Sequence, residues 1–365
     1  MRKFAIIILL IVPYFSIHAQ IVSFNSGEID QLKKDIKAND ALAQSFGKFE
    51  AETKVFMADK PNPVDTIRTE GLLKGNPIKT RTWEALKDMR KMYNLALLFR
   101  ITGKNEYFNQ SLNFLSTWAK QNQPGGNPID DTNLDDAIEA YDLIKSKLNQ
   151  KQNKLISAWL FNTAQAEMHS KRMTAGRTTA MNNWNAHRLK IVGKIGYTIN
   201  DQKIIDWTLE MLKKQIDTNL NADGTSWDFR ERDAMHYHIY DLEPMLQLAI
   251  AIDRSNGPNF YTYESNKGAS IRKSVEWLIP YMNGEKQHEE YSHTKVKFDR
   301  DRAKNGEAGY GPGNFFKPIS ALPVFQLSIY FDPEQQKILE TVNSATSLWQ
   351  NALLRVKRQA KFENN

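Results

Sequence analysis

Apolar residues recur at three- and four-residue spacing through most of the chain, the mark of amphipathic helices rather than strands. Trp83–Arg100 shows it plainly, with Leu86, Met89, Tyr93, Ala96 and Leu97 on one face. The same period predicts helices over Glu106–Trp118, Leu134–Leu148, Leu155–His169, Trp184–Tyr197, Lys203–Leu220, Leu242–Ile252, Ile271–Met282, Ile319–Tyr330 and Glu334–Leu353. Ser26, Asp30 and Leu32 look like a capped start to one more helix, running to about Leu42. Few segments alternate apolar and polar residues for long enough to build a sheet.

Short polar breaks such as Thr102-Gly103-Lys104-Asn105 make consecutive helices antiparallel neighbours. In a chain of this length that favours an α/α toroid or a helical solenoid over a simple bundle. No fixed repeat period appears. The toroid accounts better for three long loops at one rim: Lys60–Thr82, Gln121–Asp131 and Glu285–Asn314. The last is polar, with Gly306, Gly309, Gly311 and Gly313 near its end, as a lid or cleft wall would be. No linker divides the chain, so residues 20–365 are expected to form one all-α domain, an incomplete (α/α) barrel.

The N-terminus changes that picture only locally. Arg2 and Lys3, the apolar run Phe4–Ile17 and the small-residue point at His18-Ala19-Gln20 read as an export signal over residues 1–19. The apolar run of about 14 residues is short for a membrane anchor, which needs roughly 20. A periplasmic or secreted location is therefore expected. The chain has no cysteine, which excludes disulfides, thiolate metal sites and a lipoprotein anchor. Its formal charge of +7 suits an acidic partner such as a polyanionic polysaccharide. Export, and the lack of a Lys/Arg-dense motif, argue against nucleic acid. The expected form is a monomer free of the membrane.

The candidate chemistry concentrates in Arg230-Glu231-Arg232-Asp233-Ala234-Met235-His236-Tyr237-His238-Ile239-Tyr240. Arginine forks a carboxylate, histidine exchanges protons near neutrality, and tyrosine can do so when positive neighbours lower its pKa. As a helix, this segment puts His236 and Tyr240 one turn apart. Pro244 permits a second reading, in which Asp241 caps a new helix and residues 236–240 lie on a bend. A second cluster, Asn182-Asn183-Trp184-Asn185-Ala186-His187, supplies amides that can bind a carboxylate without neutralising a nearby base. Capping accounts for one of these asparagines, scarcely for three with a histidine. The loop segment His288-Glu289-Glu290-Tyr291-Ser292-His293 lacks zincin spacing, so its metal signal is weak; Tyr291 stands out as a phenol that a lid could carry over a sugar. Trp184, Trp227, Tyr240 and Tyr310 could stack on sugar rings, and Arg300 could bind a uronate.

Asp223-Gly224, Arg230 and Ala234–Tyr240, with Asn182-Asn183 upstream, resemble the motifs of the alginate lyase superfamily. The similarity spans about Gly71 to Phe331, is most specific at the Arg–His–Tyr motif, and is closer to polysaccharide lyase family thirty-eight than to family five. It implies an incomplete (α/α) barrel cutting uronate polymers by β-elimination. By that resemblance Asn183 neutralises the uronate carboxylate, Arg230 balances charge, and His236 and Tyr237 lie at the scissile bond. Family five has a histidine directly after the asparagines where this chain has Trp184, which points to a rearranged acid/base set involving His187 and Tyr291.

The expected substrate is a 1,4-linked polyuronate, alginate first and glucuronan next. No metal or cofactor is needed, because Asn and Arg supply the electrostatics. Tyr291 ranks narrowly ahead of Tyr237 as the acid. Two competing classes are an exported glycan-binding protein and an (α/α) glycoside hydrolase, which would need two facing carboxylates, with Asp228, Glu231 and Asp233 available.

Overall fold

The computed structural model describes residues 20–342 and 347–363. The expected export signal lies outside the described residues. The first part holds α1 (Ser26–Ala38), α2 (Asp40–Lys54), α3 (Pro77–Thr102), α4 (Asn105–Gln121), α5 (Pro128–Asp131), α6 (Asp135–Ile144), α7 (Gln150–Met168), α8 (Asn183–Ile199) and α9 (Gln202–Asn219). The rest holds α10 (Trp227–Arg232), α11 (Met235–Arg254), α12 (Ile271–Glu276), α13 (Ile279–Met282), α14 (Lys297–Lys304), α15 (Leu322–Ser328), α16 (Gln336–Thr341) and α17 (Leu348–Glu363). Among the described residues no strand forms beyond isolated bridges of Leu220 with Ser226 and Glu289 with Phe315. Nor is any helix there long and apolar enough to cross a membrane.

Each helix packs on its successors: α3 on α4 and α6, α4 on α7, α7 on α8, α8 on α9 and α11, and α11 on α15. This is the all-α arrangement of paired helices that the hydrophobic period predicts. One contiguous apolar cluster runs from Val22 to Val356.

The element boundaries differ where capping outweighs periodicity. Asn25, not Ser26, caps α1, in a reciprocal box with Glu28. Asn39 then ends α1 and caps α2, splitting the helix expected to reach Leu42. Asn76 caps α3 ahead of Pro77, so that helix starts before Trp83 and shortens the Lys60–Thr82 loop. The Ile271–Met282 segment breaks into α12 and α13, with Pro280 at the start of the second. The expected Glu334–Leu353 helix is likewise divided between α16 and α17.

α8 is buried on every side from Asn185 to Thr198, so its charges must find partners inside the protein. Arg188 meets Glu167 at 3.1 Å, Lys190 meets Asp135 at 3.3 Å, and Lys194 lies between Asp135 and Glu139. Gly193 is where neighbouring helices press closest on α8. A Cβ there would run into Leu248 of α11 and come within 2.8 Å of Thr208 of α9. Gly193→Ala should therefore cost about 1–3 kcal/mol through overpacking. A thermal melt of the purified variant that matched the parent would contradict this packing argument.

Candidate functional site

The corner between α10 and α11 builds the site. Ser226 caps α10 by accepting the Phe229 N–H at 3.2 Å. Asp233 ends it in the left-handed region, φ 49°, which Asp tolerates better than most residues. Asp233 then clasps the long loop from two sides. Its carbonyl accepts the Tyr291 N–H at 2.6 Å and contacts His288 Nε2 at 3.1 Å. Its carboxylate accepts the His293 N–H at 2.8 Å and contacts His293 Nδ1 at 3.0 Å. The two loop histidines are thus engaged with one aspartate. Among the described residues no group of three or more His, Asp or Glu side chains is arranged to hold a metal ion.

The clasp sets Tyr291 against α11. Tyr291 is itself left-handed, φ 64°, an uncommon state for an aromatic residue, held here by its N–H bond and its ring packing. Its ring meets Tyr237 edge-on at 6.2 Å and Tyr310 at 5.0 Å. Tyr237 in turn meets His236 edge-on at 5.1 Å and Tyr240 at 6.2 Å. His236 and Tyr240 stack at 6.0 Å, and Tyr240 lies 4.1 Å from the His187 ring of α8. The whole of residues 236–240 is helical, and Pro244 sits inside α11 without breaking it. The cost is one hydrogen bond at the Tyr240 carbonyl. That carbonyl is within electrostatic reach of His187, although His187 Nε2 is buried without a hydrogen-bond partner.

Two guanidiniums serve this ring cluster, and neither is Arg230. Arg302 of α14 donates to the Tyr237 hydroxyl at 2.8 Å and to the Tyr310 hydroxyl at 3.0 Å. Arg232 lies 3.7 Å over the Tyr237 ring while bonding Asp299 at 2.5 Å. Arg230 is exposed and bound to Asp223 at 2.6 Å and Thr225 at 2.9 Å. Arg230, expected to balance charge at the site, makes these contacts outside the ring cluster. Arg300 likewise points elsewhere, donating to the Thr294 carbonyl at 2.9 Å. Residues two apart on a helix face different ways, so Arg232 lies over Tyr237 while Arg230 turns to Asp223.

Asn183 sits one turn before His187 on α8, so the two share a face. Its backbone N–H donates to Asp228 Oδ2 at 2.7 Å and its side-chain amide donates to Asp228 Oδ1. Asn182 is the cap, accepting the Trp184 N–H at 3.0 Å. Trp184 is half-buried with Arg172 at 5.7 Å over its ring. Trp227 is half-buried in the first turn of α10 and makes no ring contact with the cluster. His238 is structural: fully buried, it bonds Ser226 Oγ and the Ser274 carbonyl, both at 3.0 Å.

Desolvation dominates the electrostatics. His236 can be reached by water but has protein on most sides, as a cleft-floor residue does. That crowding, then Arg302 and Arg232, lowers its pKa to about 4. Burial, then Lys190, holds His187 well below the usual histidine range. Burial raises Tyr237, Tyr240 and Tyr291, with Arg232 and Arg302 pulling Tyr237 back. Glu290, whose carboxylate accepts the His236 backbone N–H at 3.5 Å, is pushed up to about 7 by burial. At neutral pH His236 is thus a neutral imidazole, able to take a proton. An NMR titration should give it a pKa near 4, and a value near 6.5 would sink the crowding argument. The unfolded chain then binds the extra proton first as pH falls from 6.5 to 4, so this histidine costs stability over that window.

The site can do proton transfer at a carbon beside a carboxylate: phenols, a neutral imidazole, an amide and a guanidinium meet on one wall. The carboxylates a hydrolase would need are otherwise employed: Asp228 on Asn183, Glu231 on Lys295 at 2.8 Å, and Asp233 in the loop clasp. Of the sequence candidates, the structure brings together His187, His236, Tyr237, Tyr240 and Tyr291, with Asn183 on the adjoining turn. Arg302 was not among the sequence candidates, because its partner Tyr237 is 65 residues away; Arg232, within the candidate segment, and Asp228, weighed as a hydrolase carboxylate, were given no part in the elimination.

The alginate lyase family model matches residues 34–288. No curated protein sequence matches the chain significantly. Solved structures with a similar fold include an alginate lyase from Bacteroides ovatus, with 15% identity, 92% of this chain and 98% of that chain covered, and a TM-score of 0.69. Another is alginate lyase A1-III from Sphingomonas species A1, with 19% identity, 73% and 80% covered, and a TM-score of 0.55. A histidine-to-alanine variant of A1-III, complexed with tetrasaccharide, aligns at 20% identity over 73% and 79%, with a TM-score of 0.56. At such identities the likeness is one of fold, whereas the family match covers most of the sequence: the chain belongs to the alginate lyase family of polysaccharide lyases.

Proposed function

We propose that this protein cleaves a 1,4-linked polyuronate by β-elimination, with mannuronate-rich alginate as substrate and glucuronan next. The observation that carries the mechanism is Arg302 donating to the Tyr237 hydroxyl at 2.8 Å, beside the accessible imidazole of His236. Tyr291 ranks narrowly ahead of Tyr237 on sequence; the proposal takes Tyr237 instead, supported by the cation on its oxygen and another over its ring, neither of which Tyr291 has.

Asn183 donates its amide to the uronate carboxylate, so that charge building on it during C5 deprotonation is stabilised. Tyr237 gives up its proton to solvent, the two guanidiniums favouring the phenolate against the pull of burial, while the neutral His236 beside it adds no competing charge. The phenolate removes H5, the C4–C5 double bond forms as the C4–O4 bond breaks, and the new phenol proton passes to O4. The phenolate is thereby regenerated. In mannuronate and glucuronate H5 and O4 lie on one face, so one tyrosine serves both steps; guluronate, with opposite faces, would need a second acid such as Tyr291. Tyr240 and Trp184 offer ring faces to sugars flanking the scissile bond. The leader-like N-terminus supports action on the exported side of the membrane.

Incubation with mannuronate-rich alginate, guluronate-rich alginate, glucuronan and hyaluronan separates the readings. Ultraviolet absorbance of unsaturated ends should rise together with reducing ends, fastest on mannuronate-rich polymer. Reducing ends without absorbance would mean a hydrolase, and binding without either a glycan-binding protein.

A further inference from the structure

Behind Asn183 lies a buried carboxyl pair that the elimination chemistry does not use. Asp228 of α10 and Asp241 of α11 are both fully buried. Asp228 accepts three N–H groups: two from Asn183 and one from Asn219 Nδ2 at 3.1 Å. Neither oxygen of Asp241 has a hydrogen-bond partner, and neither does the buried Asn219 Oδ1. Burial, then Asp228, raises Asp241 well above the carboxylate range, while Asn219, the amide in interaction range, acts to lower it. Both hydrogens of the Asn219 amide are already spent, on Asp228 Oδ2 and on the Met181 carbonyl at 3.1 Å. What Asn219 has left for Asp241 is an acceptor, and two acceptors can meet only across a proton.

We propose that Asp241 carries that proton and donates it to Asn219 Oδ1, so that Asn219 and the ionised Asp228 hold Asn183 in one orientation, with Asp228 as a positioning residue. An acceptor-only carboxylate accepts the NH2 edge of the Asn183 amide, not its oxygen, so the amide cannot flip. The second N–H of that amide is then the donor it can offer a sugar carboxylate. Two carboxyls in one dry pocket do not both ionise. The one with three donors keeps the charge, and Arg232 is the cation that supports it. Burial raises both groups, Asp228 to about 6 and Asp241 further above the carboxylate range, as this division requires.

The inference rests on Asn183 acting in elimination, and a double-mutant cycle keeps the two apart. Wild type, N183A, D228N and the double variant are assayed on mannuronate-rich alginate, with folding checked by circular dichroism and melting. N183A should lower kcat about 10²-fold, as loss of one transition-state donor does. D228N should lower kcat similarly with KM within a few-fold, and the double variant should be no slower than N183A alone. D228N at wild-type kcat, or a double loss equal to the product of the single losses, overturns the positioning role. N183A at wild-type kcat instead overturns the catalytic reading of Asn183. A further measurement stands even if D228N does not fold. Infrared difference spectra of wild type against D241N at pH 7 should show the carbonyl band of a protonated carboxyl, and its absence overturns the assigned proton.

Discussion

Replacing Tyr237 with Phe should lower kcat for unsaturated product by about 10³-fold or more, the range that a positioned acid/base group supplies. KM should change little, because the ring that packs against Tyr291, Tyr240 and Arg232 is retained. The same change at Tyr291 tests the choice between the two phenols. Its ring closes the cluster but its oxygen lacks the Arg302 contact, so Tyr291→Phe should cost far less on mannuronate-rich polymer. A fully active Tyr237→Phe enzyme, or a Tyr291→Phe enzyme that is the more impaired of the two, would hand the proton transfer back to Tyr291. The difference amounts to about 4 kcal/mol of barrier for a thousandfold loss, well beyond what small packing changes produce.

Arg302 carries the second large expectation. Arg302→Ala removes the donor to two hydroxyls at once and leaves Tyr237 buried with only Arg232 to favour its phenolate. A loss of about 10²-fold in kcat is expected. Arg302→Lys is the sharper probe. Both bonds leave one nitrogen, Nη1, and the lysine side chain ends one bond short of that position, so its ammonium should recover only part of the loss. If the lysine variant equalled wild type, charge alone would suffice and the two-hydroxyl geometry would be incidental. Near-normal turnover in Arg302→Ala would remove Arg302 from the mechanism.

The helical architecture was legible because it depends on a local rule: apolar residues three and four apart mark a helix whatever it packs on. The boundaries were less so. Asn25, Asn39 and Asn76 each cap a helix, and a capping residue is recognised by what its side chain bonds, not by hydrophobic period. The site divides along the same line. His236, Tyr237 and Tyr240 were found because they are adjacent in sequence and chemically dense. Arg302 was missed because its contact with Tyr237 joins residues 65 apart, and nothing near it distinguishes it from Arg300. Asp228 was weighed as a hydrolase carboxylate, since the Asn183 groups that occupy it come from 45 residues upstream. Pro244 suggested a new helix start at Asp241, whereas α11 runs on through it from Met235 to Arg254 without the hydrogen bond to the Tyr240 carbonyl.

The double grip of Asp233 on the segment bearing Tyr291 separates two properties that enzymes often entangle. Of the polypeptide from Lys304 to Gly313, Tyr310 belongs to the cluster, packing on Tyr291 and accepting from Arg302, while the glycine-rich turns flanking it do not pass through that knot. The phenol below stays put while the rim above is rebuilt. Preference for one polymer over another can therefore be retuned by grafting rim segments onto an unaltered chemical floor.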